Sequence, residues 1–120
     1  MVIRRGDVYM ADLGNQKGAI QSGIRPVVIM SNPMNNKFAP IVNVLPITSK
    51  TKNNIPVHVD IGEECGLFKK SIVLPEQVLT INKTQLKELI GRCPNNIMED
   101  ISRAVFLQMY LCENLQLVCS

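Results

Sequence analysis

Arg25 is the residue whose type and setting point most directly to chemistry. It stands where a glycine-rich polar loop meets an apolar run, in Gly23-Ile24-Arg25-Pro26-Val27-Val28-Ile29-Met30-Ser31-Asn32. Pro26 fixes its own φ and holds the preceding arginine extended. Val27 to Met30 is apolar throughout and β-branched in three of four positions, which predicts a strand buried on both faces. The guanidinium is thus presented from a rigid strand mouth, beside a loop (Gly14 to Gly23) able to fold over a ligand. An always-charged fork in that setting suits a phosphate. A second run, Ile41 to Thr48, ends on a hydroxyl that can donate to a phosphate oxygen. Taken singly, both residues have plainer readings: a surface arginine at a strand end, and a turn hydroxyl bonded to nearby backbone.

These residues must be positioned by elements that the hydrophobic pattern outlines. Asp7 to Leu13 alternates in the manner of a half-buried strand, and Gly14 to Gly23 is a loop longer than a hairpin needs. Asn32 to Pro40 reads as a second loop, and Ile41 to Thr48 as a strand whose Pro46 belongs at an edge or bulge. Ser49 to Asn54 forms a polar, basic turn, and Ile55 to Ile61 alternates as a half-buried strand. Ser71 to Leu74 and Gln77 to Ile81 are short strand pieces broken by Pro75. Asn82 is placed to cap a short helix from Lys83 to Ile90, with Gly91 as its stop. After Pro94, a stripe of Ile97, Met98, Ile101, Val105, Met109 and Cys112 predicts a helix over about 95–112. Phe106 and Tyr110 lie off that stripe, a second apolar face for a partner subunit. Strands followed by helices give the α+β class.

Composition bounds the function. A chain of 120 residues with 46% hydrophobic content supports one domain spanning 1–120. No run approaches the ~18 apolar residues of a membrane span, and no signal-peptide core opens the chain, so a cytoplasmic protein with no membrane association is expected. The cysteines at 65, 93, 112 and 119 have no C-x-x-C spacing and only one histidine to join them, which reads as reduced, structural thiols. Carboxylates show no D-x-D or H-E-x-x-H arrangement, so neither a metal nor any other cofactor is expected. The net charge of +3 hides an asymmetry. Residues 1–55 hold seven Lys/Arg against two acids, whereas residues 56–120 hold six against eight. A polyanion would be drawn to the half that carries Arg25. With 4% aromatic residues and no Trp, a stacking sheet of the RRM type is not indicated.

The order of segments adds a resemblance. Arg5-Gly6-Asp7-Val8-Tyr9, the Gly-Ile-Arg-Pro strand mouth, Asn32-Pro33, Ile41 to Ser49, Pro56-Val57-His58-Val59 and Ser71-Ile72-Val73-Leu74-Pro75-Glu76-Gln77-Val78 follow one another as in the MazF/PemK family of toxin endoribonucleases. The chain resembles that family over roughly residues 2 to 82, and departs from it chiefly in the Asn15–Ser22 and Ser49–Asn54 loops. The resemblance implies a small, strongly bent antiparallel β-sheet or SH3-like barrel with a C-terminal helix packed against it. It implies Arg25 and Thr48 as catalytic residues, and His58, Ser71, Glu76, Gln77 and Asn32 as RNA-binding residues. It further implies a homodimer acting on single-stranded RNA, and control by a cognate MazE-like antitoxin through an acidic C-terminal segment.

RNA supplies its own nucleophile for such a reaction. The 2′-OH attacks the adjacent phosphorus and leaves a 2′,3′-cyclic phosphate and a 5′-OH, and no metal is required. The protein must align the phosphate, neutralise charge on its oxygens and manage two protons. Arginine, with a pKa above ~12, is a poor base, so Arg25 is assigned to charge stabilisation. His58 is the one side chain that ordinarily titrates near neutrality, and it is assigned to base contact rather than catalysis. Two alternatives stay open on sequence alone: a non-enzymatic relative that poisons gyrase by binding it, and an RNA-binding barrel without cleavage.

Overall fold

The computed structural model describes residues 2–49 and 57–110. Among these the order is β1 (Asp7–Asp12), β2 (Ile24–Ile29), α1 (Pro33–Phe38), β3 (Ile41–Thr48), β4 (Val59–Gly62), β5 (Ser71–Val73), β6 (Leu79–Asn82), β7 (Leu86–Arg92) and α2 (Asn95–Gln108). Single 3₁₀ turns sit at Pro75–Gln77 and Lys83–Gln85. The strands form one curled antiparallel sheet in the order β4-β5-β3-β2-β1-β7, with β6 also paired to β3. Register shifts in the β1–β7 pair, at Val8/Tyr9 and Tyr9/Ala11, bend it. This is the bent sheet with a C-terminal helix that the resemblance implied.

The sheet separates two cores. Val8, Val28, Leu45, Ile47 and Val73 pack with Ile97, Met98 and Ile101 of α2. Tyr9, Ala11, Val27, Ile29, Val42 and Val44 pack inside the curl with Ile81 and Leu86. Consecutive residues Val27, Val28 and Ile29 are all fully buried, so β2 is covered on both faces as its apolar run predicted. Each such side chain contributes roughly 1.5–3 kcal/mol of burial. Pro46 lies inside β3 rather than at a sheet edge. Its carbonyl accepts from Leu74 N at 3.0 Å, so its donor-less nitrogen faces the break between β6 and β5, where a missing N–H disrupts no ladder.

Three sequence expectations are corrected. The Asn32–Pro40 segment contains helix α1, because Asn32 Oδ1 accepts from Asn35 N at 2.9 Å and Pro33 fits the first turn. The Lys83–Ile90 helix is a 3₁₀ turn followed by strand β7. Gln85 Oε1 does take the Asn82 N–H at 2.8 Å, so the start signal is real. The open edge of β1 then captures the following residues, and tertiary pairing overrides helix propensity. Gly91 is a contact point rather than a helix stop: a Cβ there would lie 2.1 Å from Cys65 O. Finally, α2 ends at Gln108, so Met109 leaves the buried stripe and is exposed, while Ala104 and Leu107 complete the packed face. Phe106 and Tyr110 are exposed, as their off-stripe positions predicted. Val59 begins β4, whereas Ile55 and Pro56 of the predicted strand, most of the basic turn, and Cys112 and Cys119 lie outside the described residues.

Candidate active site

Strand register brings Arg25 and Thr48 together. β2 and β3 pair Val27 with Pro46, Val28 with Leu45 and Ile29 with Val44. Continued two residues beyond Val27, the same register sets Arg25 across from Thr48 on one side of the sheet, where directly opposed side chains interact. Both residues line two neighbouring cavities, so the pair forms their shared wall.

The first cavity, about 350 Å³, is polar. The Gly14–Gly23 loop folds over it, its neck closed by Leu13 N to Gly23 O and Gly23 N to Gly14 O, both 2.9 Å. Arg25 Nε donates to Ser22 O at 2.9 Å, which fixes the guanidinium plane against the loop. His58 Nε2 and Glu76 Oε2 are 2.8 Å apart, with side-chain exposures of 11% and 23%. Their other polar atoms, His58 Nδ1 and Glu76 Oε1, are buried without a partner among the described residues, as is Gln21 Oε1. Buried polar atoms left unpaired cost about 1–3 kcal/mol each, so each calls for an explanation, and a bound ligand is one that a cavity wall can supply. Gln77 also lines this cavity, with its amide turned to the loop: Oε1 accepts from Gln21 N at 2.9 Å and Nε2 donates to Ala19 O at 3.0 Å.

The second cavity, about 410 Å³, is mainly apolar. Met10, Pro26, Ile47, Leu67, Phe68 and Ile90 form its walls, and Phe68 is 95% exposed. Ser71 lines this cavity and not the first, and its Oγ donates to Lys69 O at 2.7 Å. Gly66 and Gly91 let the Leu67–Phe68 wall approach β7; a Cβ on Gly66 would lie 2.0 Å from Ile90 O.

The structure therefore gathers Arg25, Thr48, His58, Glu76 and Gln77 around one cavity, and Ser71 on the other side of the Arg25–Thr48 wall. Asn32 lines neither cavity, and its side chain caps α1. Sequence reasoning missed Gln21 as a site residue, although it lay in the loop already marked as a cover. It also missed Leu67 and Phe68, whose signal was an apolar pair just after Gly66 in a polar turn. The two described thiols line neither cavity: Cys65 and Cys93 are buried together, and burial pushes both up, away from nucleophilic thiolate. What the cavity offers is a fixed cation and a hydroxyl on one wall, and hydrogen-bonding groups on the other. That combination suits a phosphate flanked by bases.

Comparison with known proteins gives concordant matches. The family model for the PemK-like, MazF-like toxin of type II toxin–antitoxin systems matches residues 4–109. An Endoribonuclease MazF of Staphylococcus saprophyticus is 41% identical over 112 residues, covering 92% of this chain and 93% of that protein. Among solved structures, a mycobacterial endoribonuclease in complex with its cognate antitoxin aligns with TM-score 0.73 and 25% identity, covering 90% of this chain and 93% of its own. MazF of Deinococcus radiodurans, at 19% identity, shares the fold with TM-score 0.79 over 91% of this chain and 97% of its own.

Proposed function

The chain belongs to the PemK-like, MazF-like toxins of type II toxin–antitoxin systems and is an endoribonuclease; from that premise we propose that it cleaves single-stranded RNA at selected sequences by activating the substrate's own 2′-OH. The observation that carries the proposal is the Arg25–Thr48 pair on the shared wall of two cavities. A phosphate seated there has one neighbouring nucleotide in each cavity. Arg25, pinned through Nε, offers the rest of its guanidinium to the equatorial oxygens as charge grows on them. The Thr48 hydroxyl donates to one of the same oxygens. Attack by the 2′-OH then expels the 5′-oxygen of the next nucleotide, leaving a 2′,3′-cyclic phosphate and a 5′-OH. Because the nucleophile sits next to the phosphorus in the same chain, alignment and charge stabilisation supply the acceleration.

His58 and Glu76 read the base edge in the polar cavity, where their unpaired atoms face a flanking nucleotide. Cleavage of messenger RNA arrests translation and growth. Two copies associate through the exposed apolar surface of α2 around Phe106 and Tyr110, and an antitoxin's acidic segment competes with RNA for the basic face. Among the described residues no helix is long and apolar enough to cross a membrane. The test is incubation of purified protein with mixed-sequence RNA in EDTA, with end-group analysis. Cyclic phosphate and 5′-OH termini are expected, and activity that requires added Mg²⁺ would overturn the mechanism. Sedimentation followed by titration with the antitoxin tests the assembly: a fully active monomer, or an antitoxin that leaves RNA bound, contradicts it.

A further inference from the structure

We propose that Gln77 is a positioning residue, which sets the Arg25 guanidinium by holding the loop that Arg25 is hydrogen-bonded to, and that it does not read a base. The inference rests on the endoribonuclease reading above and reassigns a residue that the family resemblance gave to RNA binding. Gln77 closes the 3₁₀ turn opened by Pro75, and its own backbone N–H is tied to Leu74 O at 3.1 Å, so the side chain leaves a fixed point. Both ends of its amide are engaged. Oε1 takes the Gln21 N–H and Nε2 donates to Ala19 O, a two-point clamp on backbone more than fifty positions away in sequence. One residue further along the loop, the Ser22 carbonyl accepts from Arg25 Nε. The chain of contacts from Gln77 through residues 19–22 to Arg25 is continuous.

Geometry makes the clamp consequential. The loop carries Gly14, Gly18 and Gly23, all with positive φ (72°, 66° and 75°), so its backbone resists bending weakly. Its tip is exposed from Gly14 to Ile20 and packs little apolar surface. The Ser22 carbonyl shares its peptide unit with the Gly23 N–H, which the neck bond to Gly14 O holds on one side; on the other side the Gln77 amide holds the residues that lead into it, from outside the loop. Arg25 Cα is fixed by β2 and Pro26, but a long side chain retains rotamer freedom that the Ser22 carbonyl removes. Releasing residues 19–21 therefore leaves the Ser22 carbonyl held from the Gly23 side alone, and loosens the guanidinium without moving the strand. The two bonds use one donor and one acceptor position of the amide and fix its plane against the loop, so the positions left over cannot turn to follow a base edge without breaking the clamp.

The experiment compares Gln77→Ala and Gln77→Glu with wild type. The glutamate keeps an acceptor for Gln21 N–H but sets a carboxylate oxygen against the Ala19 carbonyl, so it breaks the clamp with almost no change of shape. Both variants are expected to lose about 10²-fold in kcat, the scale of a misplaced catalytic group. Dissociation constants for RNA carrying a 2′-deoxy at the cleaved nucleotide, and base preference across a randomised pool, should stay within twofold. Hydrogen exchange should accelerate at residues 19–22. Retained kcat, unchanged exchange in the loop, or a changed base preference at one position with other sequences still cut at wild-type rate would each overturn the proposal. Wild-type protein that cuts no RNA would instead refute the endoribonuclease mechanism, and loop exchange would still decide the clamp.

Discussion

Two arginine-bearing corners border β1 and β2, and they are finished to different degrees. At one, Asp7 is only 1% exposed and both carboxylate oxygens are bonded: Oδ1 by Arg92 Nη1 at 2.7 Å and Oδ2 by the Arg4 N–H at 2.9 Å. Gly6, at φ 95°, turns the chain so that its N–H reaches Ile29 O and its carbonyl receives Cys93 N, both at 2.8 Å. At the other corner, among the described residues, Arg25 has a single side-chain bond, to Ser22 O, and Gln21, His58 and Glu76 keep buried atoms unpaired. Both corners belong to the segments that identify the family. The satisfied corner holds the fold; in the mechanism proposed above, the unsatisfied one keeps its hydrogen-bonding capacity for substrate. Motif membership alone does not separate the two roles, and the count of bonded polar atoms does.

Substitutions at the two corners should therefore fail in opposite ways. Arg25→Ala is expected to lower kcat by ~10²–10³-fold, the scale of one lost transition-state donor, with melting temperature unchanged. An Arg25→Ala protein that unfolds early would erase the contrast. Asp7→Ala should do the reverse. It strands Arg92 and the Arg4 N–H and costs about 3 kcal/mol in denaturant unfolding, at the low end for a buried pair because the Arg92 side chain is 47% exposed. Cleavage per folded molecule should be preserved. Thr48→Ala, removing a neutral donor, should reduce kcat by somewhat less than Arg25→Ala. The smallest effect is expected from His58→Ala, which single-turnover kinetics should register in RNA affinity more than in the chemical step.

Legibility followed locality. β1, β2 and β3 announced themselves through β-branched runs, and Pro26 fixed where Arg25 would stand. The facing of Arg25 and Thr48 was implied only by resemblance, because register between strands is a tertiary property. β7 was hidden because Asn82 and Gln85 give a true helix-start signal, while the edge that captured the strand lies at the other end of the chain. Gln77 was recognised as a polar site residue but not as a clamp, since its partners Ala19 and Gln21 return to it only through the fold. The Asp7–Arg92 pair spans 85 positions and has no local signature. What the sequence conveyed best was which segments are buried and which residues are chemically able; what it withheld was which polar groups find partners.

The central claim is that the Arg25 corner acts on a nucleophile carried by the RNA itself. A single oligonucleotide cut at one site, compared with the same strand bearing one 2′-deoxy nucleotide immediately 5′ of the cleaved phosphate, tests this directly in EDTA. The all-ribose strand should be cut to a 2′,3′-cyclic phosphate, and the substituted strand should bind with similar affinity and remain intact. Cleavage of the deoxy-substituted strand at that phosphate would contradict the account.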